Sequence, residues 1–148
     1  MHTPQQNTPR RNDEMVQQFS TQIGVPLCKK TLRFESGVSV ELDGYSDTPL
    51  ALCEASPCVS KPKGNQPDKV AMDALKLLFV WDSLRRPNAR LFLLFASDEA
   101  CDAFRGRSWL SAAIKGLGIE LRVVRPESFE TVRQAMQRQS EPFRKKRT

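Results

Sequence analysis

The sequence predicts an α/β domain built on a mixed central sheet of about five strands flanked by helices, in the order α-β-β-β-α-β-α-β-α. Three observations lead there. Residues 27–55 hold three short strand patterns separated only by turn-forming residues, which makes those strands antiparallel neighbours. Residues 90–96, RLFLLFA, form an almost wholly apolar run, as expected of a central strand covered on both faces. From residue 67 onward helical and strand patterns alternate, the arrangement that crossover connections and a parallel sheet require.

The first twelve residues, MHTPQQNTPRRN, are polar after Met1 and read as a disordered leader, 1–12. Asn12 or Asp13 then caps a short helix in which Met15, Val16, Phe19 and Ile23 recur at helical spacing until Gly24 and Pro26 stop it. Strands follow at 27–34 and 38–42, with Ser36 and Gly37 turning between them. In the second, Val38, Val40 and Leu42 share one face, and Ser39, Glu41 and Asp43 the other. The composition of GYSDTP, 44–49, marks a turn, and 50–55 is a third strand. A tight turn would bring Asp43 and Glu54, with ten residues between them, together across the two strands.

The stretch SPCVSKPKGNQP, 56–67, has three prolines and a glycine and reads as a loop. A helix begins near Pro67 and Asp68 and carries Val70, Met72, Ala74, Leu75, Leu77, Leu78 and Trp81 around most of its circumference, which predicts deep burial. Lys69, Asp73 and Lys76 form its one polar stripe, the pattern of a solvated face with i, i+4 pairing. After the strand at 90–96, Ser97 caps a helix that breaks at Gly106, and Ser108 caps a second. Residues 119–124 form a strand stopped by Pro126, and 127–139 a helix with Phe129, Val132 and Met136 on one side. The domain therefore spans 13–139, followed by a basic disordered tail, 140–148. Trp81 and Trp109 read as helix-packing residues.

Charge narrows the choice of partners. Of the formal net charge of +6, residues 138–148 carry +4, from Arg138, Arg144, Lys145, Lys146 and Arg147 against Glu141, and the rest of the chain only +2. A tail of this kind attracts polyanions through counterion release, without sequence choice. The four cysteines, Cys28, Cys53, Cys58 and Cys101, are too few and too irregularly spaced for a disulfide framework, and with His2 as the single histidine they do not make a structural zinc site. No secretory signal is present, and no apolar run approaches the roughly 18 residues of a membrane span. The expectation is a reduced, cytoplasmic protein with no membrane partner.

The acidic strands carry the chemistry. Hydrolysing a phosphodiester needs charge stabilisation at phosphorus and a hydroxide near neutral pH, and Mg2+ or Mn2+ supplies both when two or three carboxylates hold it with open positions left over. Asp43 and Glu54 offer the carboxylates, the backbone carbonyl of Ala55 a third oxygen, and a lysine from the following loop or helix the accompanying positive charge.

The arrangement LDGYS, then CEAS on consecutive strands, then a helix, resembles the core of the PD-(D/E)XK restriction-endonuclease-like superfamily. More narrowly, VELDGYSDTP, ALCEA and KPKGNQPDKVAMDALKL resemble a group of small uncharacterised bacterial members. The resemblance covers most of 13–139 and rests on order and spacing. It implies a metal-dependent nuclease, acting on DNA rather than RNA, with Asp43 at the first metal-binding acid and Glu54 at the acid of the (D/E)XK element. The chain departs at the lysine of that element, where Ser56 stands. Either the lysine has migrated, with Lys69 the first choice and Lys63 the second, or catalysis is lost and the fold survives as a module that binds nucleic acid or a protein. Glu14 resembles the extra helix acid of some members, and Glu41 is the other candidate for that place. Lys61, Lys63, Lys76, Arg144, Lys145, Lys146 and Arg147 are the candidate nucleic-acid contacts, and a second copy of the chain is a further candidate partner.

Deleting residues 140–148 is expected to weaken binding to a generic polyanion and to flatten its salt dependence while leaving the domain folded. Binding constants for a short DNA duplex over a salt series measure this; an unchanged slope would reduce the tail to a solvated end.

Overall fold

Alternation in the first half of the chain becomes an antiparallel meander. A computed structural model describes residues 4–58, 64 and 66–125. Helix α1 (Pro4–Ile23) leads into β1 (Cys28–Arg33), β2 (Ser39–Asp47) and β3 (Leu50–Ser56); α2 (Gln66–Leu84) and β4 (Arg90–Phe95) follow, then α3 (Asp98–Asp102), α4 (Trp109–Gly116) and β5 (Ile119–Val123). The five strands form one sheet in the order β1-β2-β3-β4-β5. β1, β2 and β3 pair antiparallel, while β3, β4 and β5 pair parallel. The expected mixed α/β sheet is thus present.

Local chemistry explains most boundaries. Gly37 turns the β1–β2 hairpin with φ +91°, a region open to glycine without a Cβ clash, and Phe34 N–H donates to Val38 O at 2.9 Å. The Oγ of Ser97 accepts from Ala100 N–H and that of Ser108 from Ser111 N–H, both at 3.1 Å, so each serine caps the helix expected of it. Two boundaries differ. α1 starts at Pro4 rather than at Asn12 or Asp13; Pro suits a first helical turn, and the Gln and Arg that follow are good helix formers even without an apolar face. The GYSD segment is strand, not turn: β2 runs through to Asp47, and only Thr48 and Pro49 make the bend into β3. Turn-rich composition is overridden here by Tyr45 and Ser46, whose side chains are buried in the sheet. The expected helix 127–139 and the tail 140–148 lie outside the described residues.

Two apolar layers cover the sheet. Leu50 and Leu52 of β3 join Val70, Ala74, Leu77 and Val80 of α2 on one face. Ala51, Cys53 and Ala55 join Met15, Val16 and Phe19 of α1 on the other. β4 serves both layers, Leu91, Leu93 and Phe95 facing α2, Phe92 and Leu94 facing α1, where Phe92 meets Phe19 edge-to-face at 4.9 Å. The alternation that sends Leu50 and Leu52 toward α2 sends Glu54 there as well. Beyond α2, Arg86 reaches Asp47 with two 2.6 Å contacts, to its carboxylate and its carbonyl, tying the chain leaving α2 to the end of β2.

Gly44 sits where no side chain fits. A Cβ there would lie 2.7 Å from Cys53 Sγ and 3.0 Å from Val16 Cγ1. Gly44→Ala is expected to lower unfolding free energy by about 1–3 kcal/mol through overpacking, whereas Gly106→Ala, with nothing within 4 Å of its Cβ position, should lie close to wild type. Urea denaturation of both variants compares them; equal stabilities would refute the packing argument.

Candidate functional site

An extra residue in β2 creates the site. Cys28 pairs with Tyr45 but Lys30 with Leu42, so Asp43 and Gly44 of β2 stand against the single Lys29 of β1. This shifts the alternation, and Leu42 and Tyr45, three residues apart, both enter the α2-side layer. The backbone ladder between β2 and β3 reaches only to Gly44 opposite Cys53. Beyond it, side chains replace backbone partners: Asp43 N–H donates to Glu54 Oε2 at 3.1 Å, and Ala55 N–H donates to Asp43 Oδ2 at 2.9 Å. Each carboxylate is held by the backbone of the other's strand. The N–H and C=O of one strand residue point the same way, so the Ala55 carbonyl faces β2 too.

The third member comes from α2. Lys76 Nζ forms an ion pair with Glu54 Oε1 and donates to the carbonyl of Glu41 at 3.2 Å. The Glu54 side chain is 1% exposed and that of Lys76 36%. The ammonium is the partner of Oε1, and its charge and hydrogen bonding act to lower the Glu54 carboxyl. Asp73, one helical turn before Lys76, has a side chain only 12% exposed and pairs with Lys69 at 3.3 Å. The expected i, i+4 pair forms with Lys69 exposed, but the stripe is not solvated throughout, because Asp73 shares the buried face of α2 with Val70, Ala74 and Leu77.

Burial dominates the electrostatics. The Glu54 carboxyl is pushed up to about 8 by desolvation and then by its hydrogen-bonding and charge interaction with Asp43, which together outweigh the pull of Lys76. Burial also raises Asp73, against Lys69 and Lys76. Burial acts to lower the Lys76 ammonium, but Glu54, Asp73 and Asp43 overcome it and leave it above its ordinary value. An open cleft of about 580 Å³ adjoins the group, lined by Val40, Glu41, Met72, Asp73, Lys76 and Phe79 among others. A second, apolar groove of about 520 Å³ lies between α2 and α4; it holds none of these acids, and Asp68 is the charged residue among those lining it.

The expected residues divide accordingly. Asp43, Glu54 and the Ala55 backbone come together. Lys69 is occupied with Asp73, and Lys76, expected only as a nucleic-acid contact, is the lysine at Glu54. Glu41 points away to Lys29 at 3.3 Å and contributes its carbonyl rather than its carboxylate. Glu14 lies on α1, across the sheet, within 3.5 Å of Arg10. Lys61, Lys63, Arg144, Lys145, Lys146 and Arg147 lie outside the described residues. Trp81 donates through Nε1 to Arg86 O at 3.1 Å, but Trp109 is 78% exposed at the start of α4 rather than packed between helices. The sequence carries no signal that separates the two lysines: Lys69 and Lys76 both border the apolar stripe of α2 at 70, 74, 77 and 80.

Set against known protein families, curated proteins and solved structures, the chain matches none. Among the described residues no three His, Cys, Asp or Glu side chains converge as a complete metal-ligand group. Two carboxylates beside the Ala55 backbone, one of them buried and carrying an ammonium on its second oxygen, are nonetheless hard oxygen donors of the kind a divalent cation takes. Among the described residues no helix is long and apolar enough to cross a membrane.

Because the folded Glu54 titrates at about 8 against an ordinary 4.5, the folded chain holds more protons than the unfolded chain between those values. The stability this group contributes is complete below the lower value and lost as pH rises through the upper one. Denaturation curves across that window should show wild-type stability falling relative to Glu54→Gln as pH rises; parallel profiles would place Glu54 in the ordinary carboxylate range.

Proposed function

We propose that this chain is a divalent-metal-dependent endonuclease of the PD-(D/E)XK kind, hydrolysing phosphodiester bonds in DNA rather than RNA. The observation that carries this reading is the pairing of Lys76 with buried Glu54 beside Asp43, which returns to the acids the positive charge that Ser56 does not supply. On this reading Asp43, Glu54 and the Ala55 carbonyl hold Mg2+ or Mn2+, which when bound supplies Lewis acidity and a water acidic enough to attack phosphorus. Glu54 and Asp43 stay fixed because backbone N–H groups of the opposite strands hold them, so the site needs little reorganisation. Lys76, whose partly exposed side chain lines the open cleft, is the ammonium available to a phosphate oxygen. Asp73 pairs with Lys69 and adds negative charge that favours the charged form of Lys76.

A second reading, a nuclease-fold module that binds nucleic acid or a protein without cleaving, is favoured by one fact: Lys76 already supplies Glu54 with a counterion, as a purely structural ion pair would. Activity separates the two. With Mg2+ or Mn2+ the protein is expected to nick supercoiled plasmid DNA. Glu54→Gln and Asp43→Asn should abolish nicking, and Lys76→Ala should slow it by about 10²–10³-fold, the range for losing one preorganised charge donor. A protein that matches Glu54→Gln across DNA and RNA substrates, with a melting temperature unmoved by either metal, would leave the binding module.

A further inference from the structure

The cation reading leaves a question about the protein before any cation arrives. A carboxylate as deeply buried as Glu54 is costly to keep charged without a counterion, and the Asp43 carboxylate beside it adds like charge. Lys76 answers it in a particular way. Its ammonium touches two oxygens of different origin, the Glu54 carboxylate and the Glu41 carbonyl, both of the hard type that Mg2+ and Mn2+ prefer. An ammonium held between two such oxygens stands where a placeholder ion would.

We propose that the Lys76 ammonium occupies the cation position of this site and is displaced onto Asp73 when a divalent cation enters. This rests on the reading of Asp43 and Glu54 as the cation site. The means of exchange are in place. The Lys76 side chain is partly exposed and has a flexible four-carbon stem, so its end can swing while its backbone stays in α2. Asp73 lies three residues earlier on the same helix, the spacing at which helical side chains meet. Its carboxylate already faces Lys69 at 3.3 Å and has a second oxygen for another ammonium. The cleft alongside is open, so the swing needs no repacking of the core. Displacement would also carry the ammonium from a position buried against Glu54 to the cleft wall, where an incoming phosphate passes. One lysine would thus guard the empty site and serve the loaded one, and cation binding would couple to presentation of the positive charge.

Mn2+ affinity, read from the electron paramagnetic resonance signal of free Mn2+, tests this without relying on activity. Lys76→Met is expected to bind Mn2+ about tenfold more tightly than wild type, because a like charge no longer competes for the same oxygens. Asp73→Asn should weaken Mn2+ binding in the wild-type background and change it little in the Lys76→Met background, since Asp73 acts through Lys76. Equal or weaker binding by Lys76→Met, while Glu54→Gln still abolishes wild-type binding, would overturn the proposal and leave the cation site standing. No saturable Mn2+ binding by any variant would remove the site itself and the proposal with it. Should Lys76→Met not fold, the wild-type protein decides: in 15N-lysine-labelled protein, the Nζ resonance missing from Lys76→Arg should shift on Mg2+ titration. A Lys76 resonance unmoved at saturating Mg2+ overturns the displacement.

Discussion

A carboxylate placed at the end of a central strand, among leucines, has to be satisfied from every side, and much of the structure around Glu54 does this. One oxygen takes the Asp43 N–H and the other faces the Lys76 ammonium. The first contact requires β2 to part from β3 just where its extra residue falls. That parting requires Gly44, because Cys53 and Val16 close over the position where any side chain would begin. The second contact requires α2 to cross β3 with Lys76 opposite Glu54, which the packing of Val70, Ala74 and Leu77 against Leu50 and Leu52 arranges. Changes at Gly44 or in the α2 interface would thus reach the acids without touching them.

The same constraint explains why the polar residues of α2 sit where they do. A helix so apolar around its circumference would ordinarily turn its few charges to water. Here Lys76 borders the buried face, where it meets Glu54 and the Glu41 carbonyl, and the charge of Asp73 one turn away favours its charged form. The charge displaced from the outer surface is replaced there by Met72, Leu75 and Phe79, which remain exposed between the cleft and the apolar groove beside α4. Phe79 meets Phe34 edge-to-face at 5.7 Å, steadying the far half of α2 against the β1–β2 hairpin.

Several features of the fold were legible from short stretches of chain. The caps Ser97 and Ser108, the turn at Gly37 and the almost wholly apolar β4 follow from local hydrogen bonding and from the period of two, which operate over a few residues wherever they occur. The neighbourhood of Asp43 and Glu54 was legible too, since antiparallel strands joined by a short bend bring such positions opposite one another. The end of β2 was not. Gly44 to Asp47 have the composition of a turn, and only burial of Tyr45 and Ser46 between neighbouring strands makes them extended. Nor does strict alternation see the extra residue at Asp43 and Gly44, which turns Asp43 to Glu54 while Glu41 faces Lys29.

By itself, the sequence determined the order of elements from α1 to β5, the mixed sheet and the two acids on adjoining strands, because these depend on periodicity and on turns spanning few residues. Tertiary structure decided which lysine serves them. Lys69 and Lys76 lie on one stripe of one helix, and nothing local distinguishes them. The choice depends on how far α2 slides and rotates over the sheet, and that is settled by side chains packing across the core from strands distant in the chain.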